Sequence, residues 1–268
     1  MTEEQQALVI AAHGSHRNED SSKSAFGHAN AIRDTTTIAE VKEAFWKEEP
    51  SFREVLRMLT SPTVIVVPLF MSEGYFFEEI LPRELRLTGR EPLDVDKDIR
   101  ITPPVGTDPL IRIVIEHRAA SIISKDMPLS QVALAVIGHG TERNKQSALS
   151  TLSHVKQLQE SGRFGEVEAF FLDEGPYVED VYTTFASSDI VVVPLFVADG
   201  YHTTSDIPRA LGITPGSPSA TTAPATVKER NVWYAGAVGT DPRMVDVILA
   251  RAKAAGLEVD SPGSDGIA

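Results

Sequence analysis

The sequence contains no cysteine. This absence excludes disulfide bonds, thiolate metal sites and cysteine nucleophiles. Basic residues are also scarce: 25 Lys and Arg stand against 38 Asp and Glu, which gives a formal net charge of -13. Such an acidic chain is poorly suited to nucleic acid, which favours a basic surface. An anionic ligand would therefore have to be met by a local cluster of Lys and Arg.

Long apolar runs are missing as well. No segment approaches the ~18 apolar residues that a membrane-spanning helix needs. The start, MTEEQQALVI, lacks the basic segment and apolar core of a signal peptide. We therefore expect a cytoplasmic protein with no membrane partner. A length of 268 residues with 42% hydrophobic residues suits one large domain or two smaller ones.

An internal repeat organises the sequence. Identical residues stand 126 positions apart, among them His13 and His139 and Pro50 and Pro176, and at the same offset the run VIVVPLF at 64–70 recurs as IVVVPLF at 190–196. VGTDP at 105–109 recurs at 238–242, after a longer loop. One register over so many segments indicates a duplicated unit. We therefore expect an N-terminal repeat at 1–127, a C-terminal repeat at 128–260 and a disordered tail at 261–268.

Strand-like and helix-like segments alternate within the second repeat. Continuous apolar runs predict strands at 131–137, 166–172, 189–196 and 231–237, of the kind buried on both faces of a parallel sheet. Helices are predicted at 145–160, from Pro176, near 205–211 and from Pro242 to about Ala254, and a loop at 214–230. The alternation predicts an α/β fold of two tandem flavodoxin-like lobes, each with a parallel sheet covered by helices.

Two histidines follow neighbouring strands of that sheet. His139 follows the first strand in GHGT, and His202 follows the third in GYHTTSD. Ligands of open α/β sheets bind at the carboxyl ends of the strands, so we expect both imidazoles at one site. A lone histidine at a strand end is more often a hydrogen-bonded loop residue. However, the first repeat keeps His13 and has Phe76 in place of His202, as expected of a duplicated enzyme with one working centre.

An acidic pair follows the second strand of the repeat. Asp173 and Glu174 have Glu48 and Glu49 as their expected counterparts. Either they favour the start of the next helix through its dipole, or one joins the two imidazoles. Two imidazoles and a carboxylate would form an open site for a divalent transition metal. We expect Asp206 to cap the helix after it rather than to orient His202.

These motifs together resemble the class II tetrapyrrole chelatases. HGS and HGT follow the first strand of each repeat, PLF precedes GYH, and DIP follows that turn. The sequence is most similar to the sirohydrochlorin cobaltochelatase and ferrochelatase branch in its two-repeat form. The resemblance implies two chelatase-like lobes with the macrocycle in an inter-lobe cleft, and a lyase that inserts a divalent metal without ATP, for cobalamin or sirohaem synthesis. It assigns metal handling to His139 and His202 and an assisting role to Glu174, with Asp173 as the alternative.

The same resemblance implies the ligands. No cofactor is expected beyond the divalent metal substrate, which we take to be Co²⁺, with Fe²⁺ or Ni²⁺ as alternatives. Because sirohydrochlorin is a polycarboxylate, we expect basic and flat side chains to bind it, namely Arg143, Arg17, His13, Tyr201 and Phe76, and further Lys145, His16, Arg209 and Arg83. A monomer suffices for this activity, and a homodimer is the alternative. The competing hypothesis is a non-catalytic metal- or tetrapyrrole-binding and delivery protein, which Phe76 favours and the pair of His139 and His202 opposes.

Overall fold

The computed structural model of the chain describes residues 5–16, 20–88, 96–141, 146–216 and 223–259. The predicted disordered tail at 261–268 lies outside these residues, as does 217–222 of the predicted loop. The chain divides into two compact units. The first comprises Met1–Asp108 with Pro242–Ala268, and the second comprises Pro109–Asp241.

The described residues of the first half of the chain form four strands and four α-helices. They are β1 (Gln6–Ala12), α1 (Asp20–Thr35), β2 (Glu40–Phe45), α2 (Phe52–Met58), β3 (Thr63–Pro68), α3 (Leu81–Glu84), β4 (Asp98–Ile101) and α4 (Ile111–Ser121). The strands form one parallel sheet in the order β2-β1-β3-β4. Strands β1 and β3 are buried almost throughout. Their runs of Val, Ile and Leu explain this, because such residues suit a strand that is covered on both faces.

The second half repeats this pattern and adds one edge strand. Its elements are β5 (Ala133–Gly138), α5 (Gln146–Ser161), β6 (Glu166–Phe171), α6 (Val181–Thr184), β7 (Asp189–Pro194), α7 (Ile207–Leu211), β8 (Ala225–Val227), β9 (Arg230–Tyr234) and α8 (Met244–Ala254). The sheet has the order β6-β5-β7-β9-β8, and only β8 is antiparallel to its neighbour. The predicted α/β fold of two parallel-sheet lobes is confirmed. Within the described residues, no helix is long and apolar enough to cross a membrane.

Two predicted details of the second half are wrong. The predicted loop at 214–230 contains β8, which pairs with β9 through a hairpin turn at Lys228 and Glu229, both of which have a positive φ. The helix predicted to begin at Pro176 begins instead at Val178, as a short 3₁₀ turn before α6. The carbonyl of Pro176 accepts a hydrogen bond from the end of β6 at 2.8 Å, so this proline belongs to the loop.

The last helix of each sequence repeat belongs to the compact unit formed by the other repeat. Helix α4 comes from the first repeat but lies within Pro109–Asp241, where it packs near α5 and β7. Helix α8 comes from the second repeat but packs near α1 and β3 of the first unit. The predicted repeats at 1–127 and 128–260 therefore differ in extent from the compact units, which exchange the final helices of the two repeats.

The repeated VGTDP segment holds the exchanged helices. In the second unit, Asp241 Oδ2 lies 3.1 Å from Arg118 Nε and 2.9 Å from His117 Nδ1, both on α4. In the first unit, Asp108 Oδ2 lies 2.9 Å from Arg251 Nε on α8. Because a buried carboxylate needs a cationic or hydrogen-bonding partner, each of these ion pairs ties an exchanged helix to the VGTDP turn of its unit.

The strand order brings two loops together in the second unit. From β5 the chain passes to β6 on one side, whereas β7 lies on the other side of β5. The connection after β5 and the connection after β7 thus run to opposite sides of the sheet. Open α/β sheets bind ligands at such a point, beyond the carboxyl ends of the two strands. His139 and His202 stand in these two connections.

Candidate active site

The structure brings His139 and His202 together. His139 directly follows β5, and His202 begins a π-helical turn, His202–Asp206, after β7. Their ring centroids are 5.0 Å apart and the ring planes are inclined at 82°. The side chains are 46% and 48% exposed, respectively, so both are open to a ligand. Phe196 lies beside both rings, with centroid distances of 6.2 and 6.1 Å.

A tight turn presents His139 at the edge of the sheet. Gly140 has a φ of +68°, and a Cβ atom at this position would lie 2.8 Å from the side chain of Glu174. Only glycine fits such a turn without strain. The carbonyl of His139 accepts hydrogen bonds from the N–H groups of Leu172 and Asp173, both at 3.1 Å. The turn after β5 is thereby attached to the end of β6.

Hydrogen bonds hold the segment that carries His202 in place. Thr203 Oγ1 bonds to both the N–H and the carbonyl of Gly200, at 2.8 and 3.0 Å. The hydroxyl of Tyr234, in β9, donates to the carbonyl of Thr203 at 2.7 Å. Burial raises the pKa of Tyr234 above its usual value, so its hydroxyl stays protonated and remains a donor. π-Helical turns are rare and are frequent at functional sites.

Each imidazole turns its Nδ1 atom towards oxygen acceptors. His139 Nδ1 lies 3.0 Å from the carbonyl of Gly140 and 3.3 Å from Asp173 Oδ2. His202 Nδ1 lies 2.7 Å from Asp206 Oδ2. In a neutral ring with such partners, Nδ1 carries the proton and Nε2 keeps its lone pair. The arrangement therefore leaves two Nε2 atoms to bind a metal ion or to accept a proton.

Glu174 has a different partner from Asp173. Its Oε1 accepts a hydrogen bond from the backbone N–H of Thr141 at 2.8 Å, and so it holds the turn after His139. Glu48 makes the same contact in the first unit, with the backbone N–H of Ser15. Neither Asp173 nor Glu174 stands at the start of the next helix, which begins at Val178. The catalytic role of Glu174 stays a prediction, and its observed contact supports the turn.

The residues that follow β2 and β6 align differently between the two units than predicted. The expected pairing of 173–174 with 48–49 is wrong by one position. Lys47 and Asp173 make the same backbone bond, each donating its N–H to the carbonyl of the strand-end histidine, at 3.0 and 3.1 Å. The reason is that the repeat offset of 126 continues unbroken through the strand end. The carboxylate beside His139 thus has a lysine as its counterpart.

The first unit has an aromatic cluster where the second has two imidazoles. The ring centroid of His13 lies 5.0 Å from that of Trp46 and 5.1 Å from that of Phe76. Phe70 packs against Phe76 at 4.9 Å, and Lys47 Nζ lies 3.4 Å from the Trp46 ring centroid. Phe76 occupies the position of His202, as the repeat predicts. The imidazole of His13 therefore packs against aromatic rings, edge-on to Trp46 and tilted against Phe76.

The other predicted substrate-binding residues lie in different places. Tyr201 is 64% exposed, and its hydroxyl accepts a hydrogen bond from Arg209 Nη1 at 3.2 Å. Arg209 lines an open pocket of about 430 Å³ together with Asp173, His202 and Asp206. His16 is exposed on the first unit. The predicted residues Arg17, Arg143 and Lys145 lie outside the described residues.

The distance between the imidazoles suits a shared metal ion. Two rings that bind one ion through Nε2 at ~2.1 Å, at a tetrahedral angle, have centroids about 5 Å apart, and the observed separation is 5.0 Å. Within the described residues, no group of three or more His, Asp or Glu is arranged as a metal site. The pair thus offers two nitrogen ligands and leaves the remaining positions on the ion to water or substrate. Such a site suits an ion that must be released.

Comparison with known sequences agrees with this geometry. The sequence model of the CbiX family matches residues 7–122 and 133–255, which lie in the two repeats. A protein of Halobacterium salinarum named "Probable sirohydrochlorin cobaltochelatase" is 49% identical over 271 residues, which cover 95% of this chain and 93% of the relative. The resemblance deduced from the HGT and GYH motifs is confirmed.

Solved structures share the fold. A multi-domain protein of Deinococcus radiodurans, described as structurally similar to chelatases, superposes with a TM-score of 0.81 at 27% identity, over 95% of this chain and 56% of its own. SirB of Bacillus subtilis, solved with Fe³⁺, superposes with a TM-score of 0.75 at 20% identity, over 94% of this chain and 96% of its own. At that identity, the likeness to SirB is one of fold alone. With the family model matched in both repeats, the chain belongs to the CbiX family.

Proposed function

We propose that this protein is a chelatase of the lyase class that inserts a divalent metal, Co²⁺ in the first place, into sirohydrochlorin without ATP. One observation carries the proposal: the ring centroids of His139 and His202 lie 5.0 Å apart, with both Nδ1 atoms turned to oxygen acceptors. In the neutral rings this leaves the two Nε2 lone pairs to bind a metal ion. The relative that is 49% identical supports the choice of cobalt and of sirohydrochlorin by its name. Fe²⁺ and Ni²⁺ are the alternative metals, since imidazole suits all three ions.

The residues of the pair match the proton balance of the reaction. Insertion of M²⁺ into a free-base tetrapyrrole forms four metal–nitrogen bonds and releases the two protons of the pyrrole N–H groups. In the proposed reaction, the two Nε2 atoms hold the hydrated ion until the macrocycle takes it. Each neutral imidazole, once it has given up the ion, then accepts one of the two pyrrole protons. Asp173 stabilises the resulting imidazolium of His139, and its exposure lets the proton pass to water.

The pocket beside His202 supports binding of a polycarboxylate. Arg209 lines this pocket, and within the described residues it has no carboxylate partner. Its counterpart Arg83 has a carboxylate partner, since it lies 3.0 Å from Glu84, which also binds Arg53 at 2.7 Å. We assign a substrate carboxylate to Arg209, because a guanidinium that is not paired within the protein keeps its charge for an anionic ligand. Tyr201, whose hydroxyl meets Arg209, would orient it.

The remaining predicted contacts belong to the same proposal. Phe76 and His13 would offer a flat apolar surface to the macrocycle, since they lie in the aromatic cluster of the first unit. Aromatic faces bind planar rings by stacking. Arg17 and Arg143 would meet further carboxylates, as their basic side chains follow the two HG turns in sequence.

A metalation assay tests the proposal. Pure protein is mixed with sirohydrochlorin and Co²⁺, and the absorbance change of metal insertion is compared with the rate without protein. The double variant His139→Ala/His202→Ala is the matched control, because both side chains are half-exposed and their removal leaves the core intact. We expect acceleration by the wild type and loss of that acceleration in the variant. Equal rates with and without wild-type protein would overturn the proposal in favour of a binding or delivery protein.

A further inference from the structure

Asp206 is the last residue of the π-helical turn and stands directly before α7, in the place of a helix N-cap. Capping is the role that the sequence predicts for it, and the structure contradicts this prediction. Its side chain makes no cap hydrogen bond, and its φ of -67° and ψ of -53° are helical. A capping residue needs a non-helical backbone for its side chain to reach the N–H groups ahead of it. The carboxylate is therefore available for another partner.

That partner is His202. Asp206 Oδ2 lies 2.7 Å from His202 Nδ1, four residues earlier in the same turn. In the part of the chain that the structure describes, this is the one hydrogen bond of the Asp206 side chain. An ionised carboxylate only accepts hydrogen bonds, so Nδ1 of the neutral ring must carry the proton. The contact also fixes the rotation of the ring and aims Nε2 away from Asp206.

The first unit provides an internal control for this contact. The equivalent turn, Phe76–Ile80, is also π-helical and leads directly into α3. It has Phe76 in place of His202 and Ile80 in place of Asp206. The turn and the following helix thus form without an acidic residue at this position. Asp206 is absent where the imidazole is absent, although the fold around it is the same.

We infer that Asp206 is the positioning residue of His202: it selects the Nδ1-protonated tautomer and directs Nε2 to the metal. The inference rests on the proposed function in one respect, namely that His202 binds a metal ion. The contact between Asp206 and His202 does not depend on that proposal. Carboxylates in this position behind a metal-binding histidine contribute about 10- to 100-fold to metal affinity. The hydrogen bond between His202 and Asp206 is short, and both residues belong to the same π-helical turn. The turn alone therefore maintains the contact.

Two variants separate positioning from folding. Asp206→Ala removes the acceptor, whereas Asp206→Asn keeps a carbonyl oxygen of the same reach and the same shape of side chain. The imidazole tautomers are measured by ¹H–¹⁵N NMR of the full chain, above the titration range of histidine. The dissociation constant of Co²⁺ alone is measured on the same samples by calorimetric titration. The signal of His139 serves as the check that the second unit remains folded.

We expect His202 to change from the Nδ1–H to the Nε2–H form in Asp206→Ala, with Co²⁺ binding weakened about 10-fold or more. Asp206→Asn should keep the Nδ1–H form and lose less affinity. An unchanged tautomer and unchanged Co²⁺ affinity in Asp206→Ala would overturn the inference. If the wild type fails to metalate sirohydrochlorin while Asp206→Ala still shifts the tautomer and weakens Co²⁺ binding, the proposed function fails and the positioning role stands.

Discussion

The two compact units have a similar backbone fold and differ in the side chains that follow their strands. Both keep a histidine after the first strand and a glutamate that bonds to the turn behind it, Glu48 and Glu174. Three of the positions that differ have His202, Asp173 and Asp206 in the second unit and Phe76, Lys47 and Ile80 in the first. Every one of these differences removes an imidazole or a carboxylate from the first unit.

This comparison separates scaffold from chemistry. Since the turn and the π-helical segment form in both units, the fold does not need the polar residues found only in the second. Residues that are not needed for folding and that meet at one place mark a functional site. Glu174 recurs with its contact and is explained by the turn, whereas Asp173 and Asp206 are explained only by the imidazoles beside them.

The largest expected effect contrasts the two strand-end histidines. His139→Ala should lower the rate of cobalt insertion about 100-fold or more, because it removes a metal ligand and a proton acceptor. His13→Ala should change the rate less than about 3-fold, since the ring neighbours of His13 among the described residues are Trp46 and Phe76 rather than a second imidazole. Initial rates of metalation measure both. If His13→Ala were the inactive variant, the first unit would contain the centre.

The next effect concerns the exchanged helices. Arg251→Ala should lower the free energy of unfolding of the first unit by about 1 to 3 kcal/mol, because it removes the guanidinium that pairs with the carboxylate of Asp108. Arg118→Ala should act on the second unit instead, where it removes the guanidinium beside Asp241. The measurement is urea-induced unfolding followed by tryptophan fluorescence.

The fluorescence of the two tryptophans provides the control, because each compact unit contains one of them. Its two tryptophans are Trp46, in the first unit, and Trp233, in the second. Trp46→Phe and Trp233→Phe therefore report the two units separately. A loss of stability in Arg251→Ala that appeared only at Trp233 would contradict the assignment of α8 to the first unit.

A smaller effect is expected from the two related arginines. Arg209→Ala should raise the KM for sirohydrochlorin about 10-fold with little change in kcat, as one charged contact to the substrate is lost. Arg83→Ala should leave KM nearly unchanged, because Arg83 is already paired with Glu84. Steady-state kinetics over a range of sirohydrochlorin concentrations distinguishes the two. Equal KM values for the two variants would remove Arg209 from the substrate contacts.

The smallest effect would make the first unit resemble the second. The double variant Phe76→His/Lys47→Asp restores an imidazole beside His13 and a carboxylate beside its Nδ1 atom, and should add a second, weak Co²⁺ site per chain. Phe76→Asn/Lys47→Asp, which lacks the imidazole, is the control and should add none. Calorimetric titration with Co²⁺ gives the stoichiometry. An unchanged stoichiometry in the first variant would show that the two units differ in more than these residues.

The sequence predicted the sheets and the meeting of the two histidines for a physical reason. Apolar runs such as IVVVPLF are typical of doubly covered strands, and the ends of neighbouring parallel strands must share one edge. The helix exchange was not predictable, because the repeat pattern of the sequence does not indicate which of the two sheets the last helix of each repeat covers. The role of Asp206 was ambiguous, since its position suits both a cap and an i,i+4 partner of His202. The alignment of Asp173 was missed because the acidic residues of KEEP and DEGP can be matched in two ways.

The exchange of α4 and α8 has a consequence for dissecting the protein. The unit that carries His139 and His202 is one unbroken stretch of chain, Pro109–Asp241, in which the covering helix precedes the strands. A fragment cut at the boundary of the duplication would keep both histidines yet discard the helix that shields their sheet. A minimal fragment with both histidines should instead begin upstream of α4 and stop before α8, and a stop codon just after Asp241 would remove α8 from the first unit.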